Sequence, residues 1–188
     1  SPTRKGLLGV DNLNNEIQAI LNPSSKDKKE KQVRDIVFRE GDKVMQIKNN
    51  YSLEWHRIGG DGENKGVGVF NGDMGYIETI DEERKVLSVV FDDERRVIYE
   101  FMFLDELELA YAITIHKSQG SEFKVVVMPT FMGSAFLMNR NILYTGITRA
   151  KELVVVVGDQ RSLQYMVNNT NNMERYSSLK ERIMDITI

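Results

Sequence analysis

Residues 153–157 read Leu-Val-Val-Val-Val, a run without polar alternation, and a strand of that kind has to be covered on both faces. Strands so covered belong to parallel sheets flanked by helices. The neighbouring sequence suits that frame. Ala110 to Ile115 and Val125 to Met128 read as two more apolar strands, the second closed by Pro129. Asn139 to Ala150 suits a helix with Ile142, Leu143 and Ile147 at helical spacing, and Gly158-Asp159 leads into a last helix. Strand, loop, strand, helix, strand, helix in this order predicts an α/β fold with a parallel sheet, where ligands sit at the carboxyl ends of the strands.

A different texture interrupts that pattern from Gly41 to Leu109. Val44, Gln46 and Lys48 alternate with Lys43, Met45 and Ile47, and strand-like runs follow at Gly75 to Ile80, Val86 to Phe91 and Arg96 to Phe101. Asn71-Gly72-Asp73, Asp81-Glu82-Glu83 and Asp92-Asp93-Glu94 are turn signals at the spacing of a small all-β barrel or curled sheet. Asn49 to Gly68, rich in Gly and Asn, reads as a mobile loop. Upstream, Asp11 can cap a helix whose apolar face is Leu13, Ile17, Ile20 and Leu21, stopped by Asn22-Pro23. The lysine-rich stretch from Ser24 to Gln32 reads as a solvated linker, with a phosphate-binding patch as the alternative. At the other end, an Asn-rich turn precedes the amphipathic segment Tyr176 to Ile186, which alone is only marginally helical.

Composition narrows the functional classes. A net charge of −3, from 25 basic and 28 acidic residues, argues against coating nucleic acid by bulk electrostatics, so any such contact is local. With no cysteine and two histidines, His56 and His116, neither a disulfide framework nor a Cys/His zinc cluster can be built, and no metal site is predicted. No apolar run approaches the roughly 20 residues of a membrane span. The sequence opens with SPTRKG rather than methionine, without the pattern of a signal peptide, and reads as a piece of a longer protein. No glycine is followed by lysine, so the phosphate loop G-x-x-x-x-G-K-[ST] is absent.

Two strings carry the candidate chemistry. In YAITIHKSQGSEF, Thr114, His116, Ser118, Gln119, Gly120 and Glu122 crowd a strand-to-loop turn where hydroxyl, imidazole and backbone donors can meet phosphate oxygens. An ordinary connecting loop is the bland alternative. In LYTGITRAKELVVVVGD, Arg149 follows Thr145 and Thr148 at the end of an apolar helix, where an unpaired guanidinium is costly. It needs an anionic partner, and a structural ion pair with a carboxylate such as Glu152 stands open beside a ligand.

Together these strings resemble motifs V and VI of the second RecA-like motor domain of superfamily 1 DNA helicases, within the RecD-like group that includes the alpha subunit of exodeoxyribonuclease V. SPTRKGLLGVDNLN is similar to the segment near motif IV, and GDKVMQIKNNY with FNGDMGYI to the start of an inserted SH3-like barrel. The resemblance implies a RecA-like parallel-sheet domain over residues 1–40 and 110–188, interrupted by the barrel over 41–109. It implies that Thr114 and His116 contact the nucleic-acid strand, with Thr145 nearby, and that Gly120 and Glu122 lie by the ribose and phosphates of ATP. Arg149 becomes the finger that reaches the γ-phosphate, with Tyr144, Thr145 and Thr148 lining its approach, while Arg4 or Lys5 faces ATP or solvent.

The same resemblance implies ATP and Mg2+ as cofactors of the full-length enzyme, and none held by this chain alone, because the phosphate loop and magnesium carboxylates belong to an N-terminal RecA-like domain. Single-stranded DNA, that N-terminal domain and other exonuclease V subunits are the implied partners, in a cytoplasmic setting of DNA recombination and repair without a membrane. In the barrel, Lys43, Lys48, Tyr51, Trp55, His56, Arg57 and Lys65 mix cations with aromatic rings as a single-strand groove does, and Tyr51 or Trp55 is expected to support the strand. Alternatives are the helicase half of a conjugative relaxase and a non-catalytic protein-binding module.

Overall fold

A computed structural model of the protein describes residues 1–59, 65–131, 137–170 and 182–184. Helix α1 (Val10–Leu21) leads to a two-stranded hairpin, β1 (Glu30–Val33) and β2 (Ile36–Arg39). Seven strands follow: β3 (Lys43–Gln46), β4 (Asn50–Arg57), β5 (Lys65–Val69), β6 (Met74–Asp81), β7 (Val86–Phe91), β8 (Arg95–Glu100) and β9 (Leu107–Leu109), with a 3₁₀ turn at Phe101–Glu106. They form one antiparallel sheet in the order β5-β4-β8-β7-β6-β3-β9. The period-two pattern sends Val44, Ile77, Leu87, Val89, Val97 and Tyr99 inward, where Phe38 of the hairpin and Leu104 of the 3₁₀ turn join them. The Tyr99 hydroxyl, fully buried, donates to Gln46 Oε1 at 2.8 Å, and Gln46 Nε2 donates to Glu106 at 3.0 Å, so the polar atoms of this core are paired.

Two expectations fail here. Asn49 to Gly68 is not a loop: β4 and β5 within it form a hairpin, with only 60–64 outside the described residues. Gly66 serves close approach, since a Cβ there would sit 2.4 Å from the Trp55 ring. The lysine-rich linker likewise ends early, because Glu30 and Lys31 already pair with Arg39 and Phe38.

Helix α1 turns the other way from its apolar pattern. It starts at Val10 with Gly9 as N-cap, Asp11 lying in the first turn, and it buries Val10, Asn14 and Gln18, while Ile20 and Leu21 are 74% and 68% exposed. The reason is the chain crossing beneath it, where the backbone enters and leaves the antiparallel sheet and needs hydrogen-bond partners. Asn14 donates to the carbonyls of Leu109 (3.1 Å) and Ala112 (3.0 Å) and accepts from Ala112 N–H at 2.8 Å. Gln18 and Asn22 donate to the buried Asp42 carboxylate at 2.6 and 2.7 Å, joined by Arg39 N–H (2.7 Å) and the Tyr111 hydroxyl (2.9 Å). Burial first, and then this bond to Asp42, push the Tyr111 phenol up to about 12.

The last part holds β10 (Phe123–Thr130), α2 (Arg140–Ile147), β11 (Ala150–Gly158) and α3 (Gln160–Asn168). Asn139 caps α2 by accepting from Ile142 N–H at 2.9 Å, and Asp159 caps α3 by accepting from Ser162 N–H at 2.8 Å. β10 and β11 pair in parallel with Val126 opposite Val154 and Met128 opposite Val156. Ile115, Met128, Met138, Leu143 and Met166 form the core on one face. The opposite face is bare: Val125, Val127, Leu153 and Val157 are 49%, 62%, 53% and 48% exposed. The expectation that the valine run is buried on both faces is therefore not met, because helices cover one side only.

The predicted strand from Ala110 to Ile115 is an irregular segment, held by Ser1 N donating to Ile113 O at 2.9 Å and by Ile115 N–H on Ser1 O at 3.1 Å. Among the described residues the parallel sheet has two strands and most strands are antiparallel, so the RecA-like parallel sheet inferred from sequence is not seen as such. Of the predicted tail helix, only 182–184, which are helical, lie within the described residues. No helix among the described residues is long and apolar enough to cross a membrane.

Candidate functional site

The two motif strings meet where β10 and β11 begin. Phe123 N–H donates to Arg149 O at 2.8 Å, and the Arg149 guanidinium reaches back to Ser121 O at 3.4 Å. A cavity of about 570 Å³ opens beside them, with Thr114, Ser118, Phe123, Val125, Gly146 and Arg149 in its wall. Mostly apolar with a few convergent polar groups, it has the character of a ligand cleft.

The loop from Ile115 to Gly120 is a tight turn tied by short-range bonds. Ser118 N–H donates to Thr114 O at 3.1 Å, Ser118 Oγ donates to Ile115 O at 2.7 Å, and Lys117 N–H donates to Thr114 Oγ1 at 3.2 Å. Gly120 has φ of +87° and open space around it, so glycine is required by its backbone and not by packing. His116 and Gln119 point into solvent at the tip.

Among the described residues no carboxylate forms an ion pair with Arg149. Glu152 does not reach it, and Glu122 is taken by Lys151 at 3.0 Å, whose hydrogen bond holds the Glu122 carboxyl below the usual range. Among the described residues the guanidinium hydrogen-bonds Ser121 O and, at 3.4 Å, Thr148 Oγ1, and its Nε is buried without a hydrogen-bond partner. A buried guanidinium N–H left unpaired costs free energy that an anion in the cleft would recover. Tyr144, 68% exposed, and Thr145 stand on α2 beside it. The one acidic side chain of the loop is already paired, so these residues offer no carboxylate set for Mg2+.

Arg4 lies elsewhere, bonded to Glu108 at 2.7 Å and Asp11 at 3.3 Å. Lys117, a residue the motif reading passed over, shares Glu108 at 2.6 Å. Nothing in the sequence flags Glu108, since its role follows from where β9 ends.

On the antiparallel sheet, Tyr51 and Trp55 part company. Tyr51 is 70% exposed and meets the Phe70 ring edge-on at 5.7 Å. Trp55 is half-buried against the core, over Gly66, with the Arg95 guanidinium 5.7 Å from its ring, so its ring is committed to packing. The register also reveals a row that strand pattern alone did not: Lys65, His56, Arg96, Val90, Tyr76 and Lys43 stand directly opposite one another across six neighbouring strands. Five steps of strand spacing make this basic and aromatic row roughly 24 Å long.

Two family models match the chain. Residues 13–91 match the model of the SH3 domain of ATP-dependent RecD-like DNA helicases, and residues 109–157 match the UvrD-like helicase C-terminal domain. The chain is 32% identical over 183 residues to the ATP-dependent RecD2 DNA helicase of Deinococcus radiodurans, covering 97% of this chain and 23% of that protein. It is 28% identical over 191 residues to the RecBCD enzyme subunit RecD of Haemophilus influenzae, covering 97% and 24%. It is also 31% identical over 130 residues to the conjugal transfer protein TraA of Rhizobium radiobacter, covering 68% and 10%. The chain thus spans about a quarter or less of the length of these relatives.

Proposed function

We propose that this chain, which belongs to the RecD-like DNA helicases, completes the ATP site and helps to hold the strand in a motor that hydrolyses ATP with Mg2+, moves 5′ to 3′ on single-stranded DNA and unwinds duplex. The observation that carries this reading is Arg149: a guanidinium beside a cleft, with its Nε buried and unpartnered and no carboxylate on it. A triphosphate is the ligand class that such a group suits, because a fixed fork of donors matches phosphate oxygens and stabilises charge as it spreads over the phosphoryl group in transfer. Gly120 and Glu122 then border the nucleotide, and Thr114, His116 and Thr145 the strand, through backbone contacts that accept any sequence. Arg4, held by Glu108 and Asp11, turns to the nucleotide only if those pairs open.

In this reading the bare face of β10 and β11 is covered in the full-length protein by further helices of a RecA-like domain whose other strands pair along the sheet edges, and an N-terminal motor domain supplies the phosphate loop and the magnesium carboxylates. The 188 residues alone, which lack a G-x-x-x-x-G-K-[ST] loop, turn over no ATP. In the full-length protein, Arg149→Ala lowers kcat for DNA-stimulated ATP hydrolysis by on the order of 10³-fold while KM for ATP changes little, because the contact strengthens as charge develops. An unchanged kcat rejects the finger role. The motor part of a conjugal transfer protein is the second reading, favoured by the TraA identity. Site-specific strand nicking by the full-length protein would select it.

A further inference from the structure

Three segments of the chain meet at one carboxylate. Glu108, on the last strand of the antiparallel sheet and only 18% exposed, accepts from Lys117 Nζ at 2.6 Å and from Arg4 Nη2 at 2.7 Å. Lys117 belongs to the 115–120 turn, and its own N–H donates to Thr114 Oγ1 at 3.2 Å. Between Glu108 and this turn the backbone runs as an irregular segment from 110 to 114, so the Glu108–Lys117 pair spans a stretch that has little ladder pairing of its own. Its geometry is that of a charge-assisted, partly desolvated pair, the class worth more than an exposed ion pair.

We propose that Glu108 is a positioning residue: through the Lys117 side chain it fixes the Lys117 backbone, and through that N–H the Thr114 hydroxyl. The barrel-like sheet and the strand-facing turn therefore move as one body, and a strand lying on the sheet meets Thr114 already aimed. This rests on the helicase reading for its consequence, though the clasp itself does not.

The test uses the full-length protein. Glu108→Gln, which keeps the shape and removes the charge, is expected to raise amide hydrogen exchange at 117 and 118 about tenfold, the loss of roughly one charge-assisted bond, while amides of β7 and β8 keep their protection. The single-stranded DNA concentration that half-saturates ATP hydrolysis rises several-fold, with kcat at saturating DNA within twofold of wild type; KM for ATP is read in Lys117→Gln, which leaves Arg4 on Glu108, and stays within twofold there. Lys117→Gln reproduces both effects, and the double variant is no worse than Glu108→Gln, since the two act on the turn through one contact. Wild-type exchange at 117 and 118 in Glu108→Gln, or effects that add in the double variant, overturns the proposal. If Glu108→Gln also loosens β7 and β8, Lys117→Gln, which leaves the Arg4–Glu108 pair in place, decides by the same exchange readout. Absence of DNA-stimulated hydrolysis in the wild type would overturn the helicase reading instead, and the exchange data would still judge the clasp.

Discussion

Asp42 and Arg149 show opposite solutions to burying a polar group. Asp42, fully buried, is surrounded by four donors from Gln18, Asn22, Arg39 N–H and Tyr111, whereas the Nε–H of Arg149 is left without an acceptor. Satisfaction on that scale is structural, and its absence beside a cleft points to a ligand. Removing the Asp42 carboxylate strands several buried donors at once, so Asp42→Ala is expected to lower unfolding free energy by about 3 kcal/mol or more, against about 1 kcal/mol for Tyr111→Phe, both read by urea denaturation. Glu108 adds a pH dependence. Burial raises its carboxyl, but the hydrogen bonds and charges of Lys117 and Arg4 outweigh this and hold it below the ordinary value of 4.5. A carboxyl with a lower pKa folded than unfolded contributes stability that is present above pH 4.5 and is lost as pH falls through its folded value. Comparing wild type with Glu108→Gln should therefore show a shallower acid decline of stability in the variant below about pH 4.5.

At the scale of elements, α1 is the place where amphipathic periodicity misleads. Leu13, Ile17, Ile20 and Leu21 have helical spacing, yet the amides Asn14, Gln18 and Asn22 face the protein because the crossing backbone and Asp42 need donors. Ile20→Lys should then stay within about 0.5 kcal/mol of wild type, while Gln18→Ala costs about 2 kcal/mol, a contrast that thermal or urea unfolding reads directly. The turn residues of the antiparallel sheet were legible, because Asn71-Gly72-Asp73 and Asp92-Asp93-Glu94 act locally and Gly72 takes φ of +100°. The β4–β5 hairpin was not, since Gly66 looks like flexibility until the Trp55 ring is seen above it.

For the whole molecule, the net charge of −3 means that any nucleic-acid path has to be local, and the row from Lys65 through Arg96 and Tyr76 to Lys43 is the candidate for one. If the strand lies on it, replacing Lys43 and Lys65 with Ala weakens single-strand binding equally for all sequences and lowers the salt slope by about 1.4, at about 0.7 per phosphate contact. Tyr51→Ala removes a further roughly 1–3 kcal/mol of stacking. Equal affinity and slope in wild type and the lysine variant, measured by titration at several salt concentrations, would move the path off this face.

Local structure was legible in the order of residues alone: the turns, the period-two strands β3, β6, β7 and β8, and the helices that begin after Asn139 and Asp159. Each depends on neighbours within a few positions, which is the range over which backbone preference and side-chain capping act. Which face of α1 is buried, the bare side of β10 and β11, the buried, unpartnered Nε of Arg149, and the meeting of Arg4 and Lys117 on Glu108 came only with the tertiary structure. Those outcomes depend on residues that approach across long stretches of chain, 104 positions in the case of Arg4 and Glu108. Pairing at that distance follows from sheet register and strand order, and a pattern of nearest neighbours does not encode them.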